Sequence, residues 1–561
     1  MQLTAPLIVQ SDLEILIEVA NPDYISARDA IAPFTELVKS PEHLHTYRIS
    51  RLSLWNAASV GLTSDEVIAR LEQWSKYPLP PAVVHEVREY MGRYGRLRLI
   101  PHGEGMALES DDSLLIEEIV RMKELNNYLQ ERVSPTKVVV VPATRGLLKM
   151  ALTRVDMPVE DLVGYVEGEH LDLTLRKEQL LRGGDFALRD YQAEAAEIFY
   201  SAGAARGGSG VVVLPCGSGK TIVGIAALAL LQAKTLILTP NITAARQWIR
   251  ELIDKTSLTE AQVKEYSGES KEIGDVTVAT YQIITRRTGV DETGEPIYGH
   301  FSLFNKSRWG LIIYDEVHLL PAPVFRVSAE MQATRRLGLT ATLVREDGRE
   351  EDVFSLIGPK KYDLPWKKLE VEGWIAPALC YEVRLSFAEE QRMEYVIASP
   401  RDKIRIASCN PGKVWVVEEL MEKHSGVDDR VLVIGQYLDQ LSVLSKKFEM
   451  PLITGQTPVQ EREKLYEKFR SGEIVRLMVS KVANFAIDLP DANVLIQVSG
   501  TFGSRQEEAQ RLGRILRPKS DGGSAYFYSV VTRDSREQEF SMNRQLFLAE
   551  QGYQYEILNL D

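Results

Sequence analysis

Cysteine is scarce, with three residues in 561, at positions 216, 380 and 409. No two form a C-x-x-C pair, which excludes a zinc ribbon or an iron–sulfur ligand set. Three thiols so far apart build no disulfide framework, so each is expected as a small buried hydrophobe in a reducing, cytoplasmic setting. Long apolar runs are also missing: nowhere do about 18 uncharged apolar residues follow one another, as a membrane-spanning helix requires. The richest stretch, VGIAALALLQAKTLIL, is interrupted by Gln232 and Lys234 and reads as a buried helix followed by a strand. The opening MQLTAPLIVQSDLEILIEVA has neither the basic nor the apolar region of a signal peptide, and no membrane contact is expected. Positive charge is in short supply, with 66 Lys and Arg against 79 Asp and Glu and a net charge of −13. That excludes a surface coated with phosphate-binding groups. It still allows nucleic acid if the basic contacts are confined to one groove.

Apolar residues make up 44% of the chain and charged residues 26%, an ordinary globular balance. The length suggests about three to five domains. Residues 1–103 read as a mixed, mainly helical accessory domain. Thr63 and Glu66 form a capping box before VIARLEQW, and Pro78-Leu79-Pro80-Pro81 breaks the pattern. Residues 104–182 read as a small α/β domain. MALES and TKVVVVPA are its strands, and SLLIEEIVRMKELNNYL and RGLLKMALTRV its helices; Leu115, Ile119 and Met122 share a helix side. Residues 183–368 then alternate between strand and helix, with VVVLP, KTLILTP, VTVATY, LIIYDE and LGLTAT as short apolar strands. Residues 369–561 repeat the theme with RVLVIG, PLITG, RLMVS, ANVLIQVS and SAYFYSV. Such alternation is the signature of parallel sheets covered on both faces. The predicted fold class is therefore α/β: two tandem RecA-like lobes behind a small α/β domain and a mainly helical N-terminal domain.

The strongest local signal is Leu214-Pro215-Cys216-Gly217-Ser218-Gly219-Lys220-Thr221, set between the strand VVV and the helix-like TIVGIAALALL. Glycines let a loop wrap a phosphate with its N–H groups pointing inward, and the helix N-terminus adds a favourable dipole. Lys220 is expected to reach the β- and γ-phosphates of ATP, and Thr221 to ligate Mg²⁺. Leu214 stands where the strict phosphate-loop pattern has its first glycine. Next, Ile312-Ile313-Tyr314-Asp315-Glu316-Val317-His318 delivers two acids at a strand tip, where open α/β sheets bind ligands. Asp315 is expected to hold Mg²⁺, and Glu316 to orient or deprotonate the attacking water. His318 is expected to couple the nucleotide site to the neighbouring lobe. Many strands end in surface acids; the position of this pair, 95 residues beyond Lys220, is what singles it out.

Gly338-Leu339-Thr340-Ala341-Thr342 follows, its hydroxyls placed to link the acid strand to the cleft between lobes. Gln510-Arg511-Leu512-Gly513-Arg514-Ile515-Leu516-Arg517 matches Q-x-x-G-R-x-x-R. The spacing of three puts its arginines on one helical face. Arg514 and Arg517 are expected to reach the γ-phosphate as arginine fingers, with Gln510 sensing the nucleotide. Upstream, Leu188-Arg189-Asp190-Tyr191-Gln192 offers Gln192, with Arg189 beside it, to read the adenine edge. These motifs in this order, each on a suitable element, make the chain an ATP-driven nucleic-acid motor.

The same residues resemble superfamily 2 helicases, and more closely the XPB helicases. Arg345-Glu346-Asp347 after GLTAT is the specific mark; LPCGSGKT, WGLIIYDEVH, SKVANFAIDLPDANVLIQ and GSRQEEAQRLGRILRPK support it. RGLLKMALTRVDMPVEDLVGYVEGE resembles the family's small damage-recognition domain. The resemblance spans nearly the whole chain. It implies an ATP- and Mg²⁺-dependent DNA helicase or translocase of 3′ to 5′ polarity acting in DNA repair. It places Arg345, Glu346 and Asp347 near the strand junction. Thr239 and Pro240, Thr280 and Tyr281, and Thr454 and Gly455 match motifs that touch the nucleic-acid backbone. Ser480, Lys481 and Asp488 match the motif tying DNA grip to ATP state. Asp190 departs from the proline that many relatives carry in the adenine-reading segment. MEYVIASPRDKIRIAS is the candidate for the family's thumb-like insertion. The expected partners are single-stranded, forked or duplex DNA and a nuclease or a repair or transcription protein, with the chain itself a monomer. Two other readings share the core motifs: an ATP-gated DNA-binding scaffold and a general DExH RNA helicase.

Overall fold

The computed structural model describes residues 4–41, 43–178, 180–181, 185–204, 206–290, 296–331, 334–343, 348–426, 428–480, 492–500, 508, 511–513, 515–516, 523–553 and 555–560. They fall into two compact units, one built mainly from residues up to 363 and one mainly from residues 364–561. Among the described residues no helix is long and apolar enough to cross a membrane. No disulfide joins the cysteines; Cys380 is buried, and Cys216 and Cys409 are half-buried.

The N-terminal region mixes short strands with the helices Tyr24–Ile31, Arg51–Ser59, Ser64–Trp74 and Pro81–Arg93. The capping box forms. Thr63 Oγ1 accepts from the Glu66 N–H at 3.3 Å, and the Glu66 carboxylate accepts from the Thr63 N–H at 2.8 Å. The proline-rich break separates two helices, and Pro81 becomes the first residue of the second, where a missing N–H costs nothing.

Leu97–His102 and Gly105–Glu109 pair as an antiparallel hairpin. Gly103-Glu104, read from sequence as a domain break, is the tip of that hairpin. The five-stranded sheet therefore takes in residues on both sides of it. Its spatial order is Leu129–Ser134, Lys137–Val140, Gly105–Glu109, Leu97–His102 and Val159–Asp161. The helix after it spans Ser113–Arg121, with Asp112 Oδ1 accepting from the Leu114 N–H at 2.9 Å. It stops four residues before the buried Leu125, so the apolar pattern outlasts the helix.

The helix Arg145–Arg154 is tied to its own sheet by a buried ion cluster. Asp161 accepts from Arg145 at 2.9 and 2.7 Å and from Lys149 at 3.1 Å. Gly146 lets this helix pass close to the helix Ala322–Glu330, since a Cβ there would stand 2.5 Å from the Ala329 carbonyl oxygen. Burial works against a charged Asp161, but Lys149 and Arg145 outweigh it and hold the carboxyl well below the usual range. A depressed carboxyl stabilises the fold above its unfolded pKa and ceases to as pH falls below it. Asp161→Asn is expected to cost about 3–5 kcal/mol at neutral pH, because it leaves two buried cations unpaired. Urea unfolding at pH 7 measures this; a loss under about 1 kcal/mol, the value of an exposed pair, contradicts it.

The first RecA-like lobe is a seven-stranded sheet in the order Val263–Tyr266, Val276–Thr280, Thr235–Thr239, Leu311–Asp315, Arg335–Thr340, Ser209–Val213 and Lys360–Asp363. The neighbouring strands pair in parallel. Helices cover both faces, so central strands such as Ser209–Val213 and Thr235–Thr239 are buried at every residue. The second lobe repeats this plan in the order Leu452–Ile453, Arg476–Ser480, Val431–Gly435, Val494–Gln497, Ala525–Thr532, Ala378–Leu385 and Tyr555–Leu560. MEYVIASPRDKIRIAS contributes to two helices, Glu389–Ile397 and Pro400–Ser408, split where Ser399 Oγ caps the second by accepting from the Asp402 N–H at 3.3 Å.

Candidate active site

In open α/β sheets the carboxyl ends of the strands face the ligand. In the first lobe the strand Ser209–Val213 leads into the Gly-rich loop, and the helix Lys220–Leu231 leaves it. Gly219 caps that helix with φ +84°, a conformation glycine adopts without strain. A Cβ on Gly219 would also stand 2.6 Å from Gln192 Nε2. The loop therefore needs glycine here on two counts. The second brings the predicted adenine reader directly against the phosphate loop. Gln192 is buried, and its Oε1 accepts from the Arg189 N–H at 3.1 Å. The Arg189 guanidinium donates to the Tyr191 hydroxyl at 2.9 Å. Ser218 Oγ donates to the Pro215 carbonyl at 2.7 Å and closes the loop on itself. Cys216 and Thr221 are half-buried in the same turn.

The strand Leu311–Asp315 brings the two acids to Lys220. Its Nζ stands 3.4 Å from Glu316 Oε1. Glu316 has φ +49°, a left-handed conformation that is unusual for a side chain with a Cβ and is a form of strain found at functional sites. Burial opposes its charge, but Lys220 and His318, with hydrogen bonds from Lys220 and the Ala341 N–H, hold its pKa below the ordinary value. Asp315 goes the other way: burial, then the adjacent Glu316 charge, push its carboxyl up. The pair is thus polarised, with Glu316 kept ionised.

His318 and Thr340 are joined by a 2.6 Å hydrogen bond between Nδ1 and Oγ1, and Thr340 Oγ1 donates to the Thr342 carbonyl at 2.5 Å. The acid strand and the Gly338–Thr342 segment are therefore linked through buried hydroxyls. Two residues with no part in the predicted nucleotide site complete this support. Trp248 donates its indole N–H to Asp315 Oδ2 at 2.9 Å, and the Tyr281 hydroxyl donates to the Asp315 carbonyl at 2.9 Å. Trp248 sits in the amphipathic pattern of the helix Ile242–Lys255 as one more core aromatic, so no spacing marks it. Tyr281 was read from sequence as a nucleic-acid contact.

Profiles of known families match along the chain. One described as ERCC3/RAD25/XPB C-terminal helicase covers residues 369–560, one described as Helicase conserved C-terminal domain covers 7–134, and one described as Type III restriction enzyme, res subunit, covers 185–345. The chain is 54% identical over 557 residues to the DNA 3′-5′ helicase XPB of Mycobacterium tuberculosis, covering 99% of this chain and 98% of that protein. This chain belongs to the XPB family. The DNA 3′-5′ helicase XPB of Kineococcus radiotolerans is 53% identical over 99% of the chain and 97% of its own length. The XPB subunit of the general transcription and DNA repair factor IIH of Schizosaccharomyces pombe is 30% identical over 98% of the chain and 75% of its own length.

The remaining XPB motif residues are placed as follows. Thr239 Oγ1 is buried and lies 3.2 Å from both the Ala279 and Asn241 carbonyls; Pro240 follows it into the helix capped by Asn241. Thr280 Oγ1 caps the short helix Tyr281–Ile284. The hydroxyls of Thr239 and Thr280 and the Tyr281 ring are thus turned into the lobe, and the backbone of these turns forms the strand ends. Thr454 Oγ1 accepts from the Gln456 N–H at 3.2 Å, and Gly455 is exposed beside it. Ser480 ends the strand Arg476–Ser480, its hydroxyl buried and without a hydrogen-bond partner among the described residues. Arg345, Glu346, Asp347, Lys481, Asp488, Gln510, Arg514 and Arg517 lie outside the described residues.

These residues fit a magnesium nucleotide. Glu316 Oε2 is buried with no hydrogen-bond donor among the described residues, an acceptor waiting for a water or ligand proton. The phosphate loop presents glycines and a lysine, and the donor set for a hard cation is oxygen, from Thr221 and Asp315. Trp248→Phe removes the donor that fixes Asp315 and keeps an apolar ring in the core. It is expected to raise the Mg²⁺ concentration for half-maximal ATP hydrolysis about tenfold, the worth of a hydrogen bond to a charged group. A magnesium titration of the variant checks this, and an unchanged midpoint removes Trp248 from the site.

Proposed function

We propose that this protein is an ATP- and Mg²⁺-dependent DNA helicase of 3′ to 5′ polarity that opens or remodels DNA in repair. The observation that carries the reading is the polarised Asp315–Glu316 pair against Lys220, at the tip of a parallel sheet beside a Gly-rich loop. Gln192 and Arg189 hold the adenine. Pro215, Cys216, Gly217, Ser218, Gly219 and Lys220 hold the phosphates. Thr221 and Asp315 would hold Mg²⁺, which would supply positive charge against the phosphates. Glu316 takes a proton from the attacking water as the bond to the γ-phosphoryl group breaks. Arg514 and Arg517 place positive charge on the transferring group, with Gln510 and Asp488 sensing the nucleotide.

Hydrolysis reaches the strand-end turns through short bonded paths. Tyr281 joins Asp315 to the Thr280 turn, and His318, its Nδ1 3.5 Å from Glu316 Oε2, is hydrogen-bonded to Thr340. Thr239, Pro240, Thr280, Tyr281, Thr454, Gly455, Ser480 and Lys481 contribute to the DNA path, the first four through the backbone of their turns, and Arg345, Glu346 and Asp347 act at the strand junction. Such contacts to phosphate carry no sequence information. The region around the five-stranded sheet, which takes in Leu97–His102 as well as residues 104–182, acts as a damage-recognition-like domain, and the residues before it as an accessory one.

The test is ATP hydrolysis alone and with single-stranded, duplex and forked DNA or RNA, over a salt series. Stimulation by DNA, strongest with a fork and weak with RNA, is the expected result. Equal stimulation by RNA makes the protein a general DExH helicase. No turnover with any nucleic acid makes it a scaffold.

A further inference from the structure

Away from the nucleotide site, at the opposite end of the strand Ser209–Val213, a small cavity of about 60 Å³ opens where the small α/β domain meets the first lobe. Its wall carries Lys149, Arg206 and Lys361 against Glu160 and Asp161. Arg145 and Arg336 stand close behind. Arg145 is bonded to Asp161, and Arg336 donates to the Leu356 and Thr334 carbonyls and to Ser209 Oγ. The two carboxylates are already committed. Asp161 is shared by Arg145 and Lys149, and Glu160 lies 2.8 Å from Arg206. The Lys361 ammonium makes no hydrogen bond or ion pair among the described residues, and Glu160, the carboxylate that acts on it, is already bonded to Arg206.

An excess of cations walled into a protein is costly unless something negative joins them. Burial pushes the Lys149 ammonium down to about 8 and lowers Lys361 as well, in the direction that this cost requires. The hydroxyls of Tyr94, Tyr165 and Thr153 also line the space, so an occupant able to accept from several donors is suited to it. Arg206, 71% exposed, stands at its rim.

We propose that this cavity is a binding site for a phosphate-class oxyanion, held by Lys361, Lys149 and Arg206. The anion supplies the charge that Glu160 and Asp161 leave unmatched. It also bridges the small domain, through Lys149, to the edge strand Lys360–Asp363 of the lobe. The same chemistry has two sources, free orthophosphate or a phosphate of the DNA backbone.

The test titrates inorganic phosphate calorimetrically into full-length protein saturated with ADP, so that the phosphate loop is occupied, at constant ionic strength with chloride as the reference anion. Lys361→Met keeps the aliphatic stem that packs on Gly210 and removes the charge. Arg206→Gln, at the exposed rim, is the second variant and leaves the core untouched. Saturable phosphate binding, weakened at least about tenfold in each variant with unchanged ATP turnover, is the expected result. Competition by duplex DNA then identifies the backbone phosphate as the source, and its failure identifies the free ion. No phosphate binding by the wild-type protein, or wild-type affinity in both variants, overturns the site.

Discussion

Replacing Glu316 with glutamine is expected to lower ATP turnover by about 10²–10⁴-fold, the usual worth of a positioned general base. Glutamine keeps the length of the side chain and the left-handed backbone, so the fold and the phosphate loop stay intact. What is lost is the carboxylate that Lys220 and His318 hold ionised. Nucleotide affinity is therefore expected to remain within a few-fold of wild type, because the contact is made chiefly as the water attacks. Single-turnover hydrolysis and binding of a fluorescent nucleotide separate the two effects. Turnover within tenfold of wild type would show that Glu316 is not the base. The same variant distinguishes a motor from a scaffold, since strand displacement stops in the first and DNA binding by the second persists.

Lys220→Ala is expected to cost at least about 100-fold in kcat/KM, comparable to losing one preorganised charge contact to the reacting group. Two losses combine. The β- and γ-phosphates lose their cation, and Glu316 loses the ammonium 3.4 Å from its carboxylate. With Lys220 gone, Asp315 and Glu316 face each other buried and adjacent, and Glu316 shifts towards the protonated form that cannot act as a base. The defect should therefore appear in both binding and turnover, unlike that of the glutamine variant. Lys220→Arg keeps the charge but not its compact shape, and is expected to recover nucleotide binding more than hydrolysis. Retained activity in Lys220→Ala would remove the phosphate loop from the site.

Both lobes were legible in the sequence where strands are buried on both faces. Ser209–Val213, Thr235–Thr239 and Leu311–Asp315 are unbroken apolar runs because helices cover the sheet on either side. The edge strands of the first lobe were not legible. Val263–Tyr266 and Lys360–Asp363 carry Lys, Glu and Asp because one side meets solvent, and four residues are too few for a clear alternation. The hairpin at Gly103 was taken for a domain break for a related reason: a glycine-rich turn looks the same whether the chain leaves a sheet or folds back into it.

The nucleotide site was legible to the extent that chemistry and spacing coincide. Lys220, Asp315 and Glu316 converge as their motifs require, and His318 meets Thr340. Trp248 was not legible, because an indole N–H aimed at a carboxylate 67 residues away leaves no local trace. Tyr281 shows a second role that its motif does not carry. Its motif suggests an outward contact, but its ring is buried and its hydroxyl braces the Asp315 carbonyl.

The most direct test of the account is strand displacement by the purified protein on duplexes bearing either a 3′ or a 5′ single-stranded tail. The account predicts ATP- and Mg²⁺-dependent opening of the 3′-tailed duplex, little opening of the 5′-tailed one, and none by Glu316→Gln on either. Opening of both duplexes by Glu316→Gln at the wild-type rate, or by the wild-type protein without ATP, would contradict it.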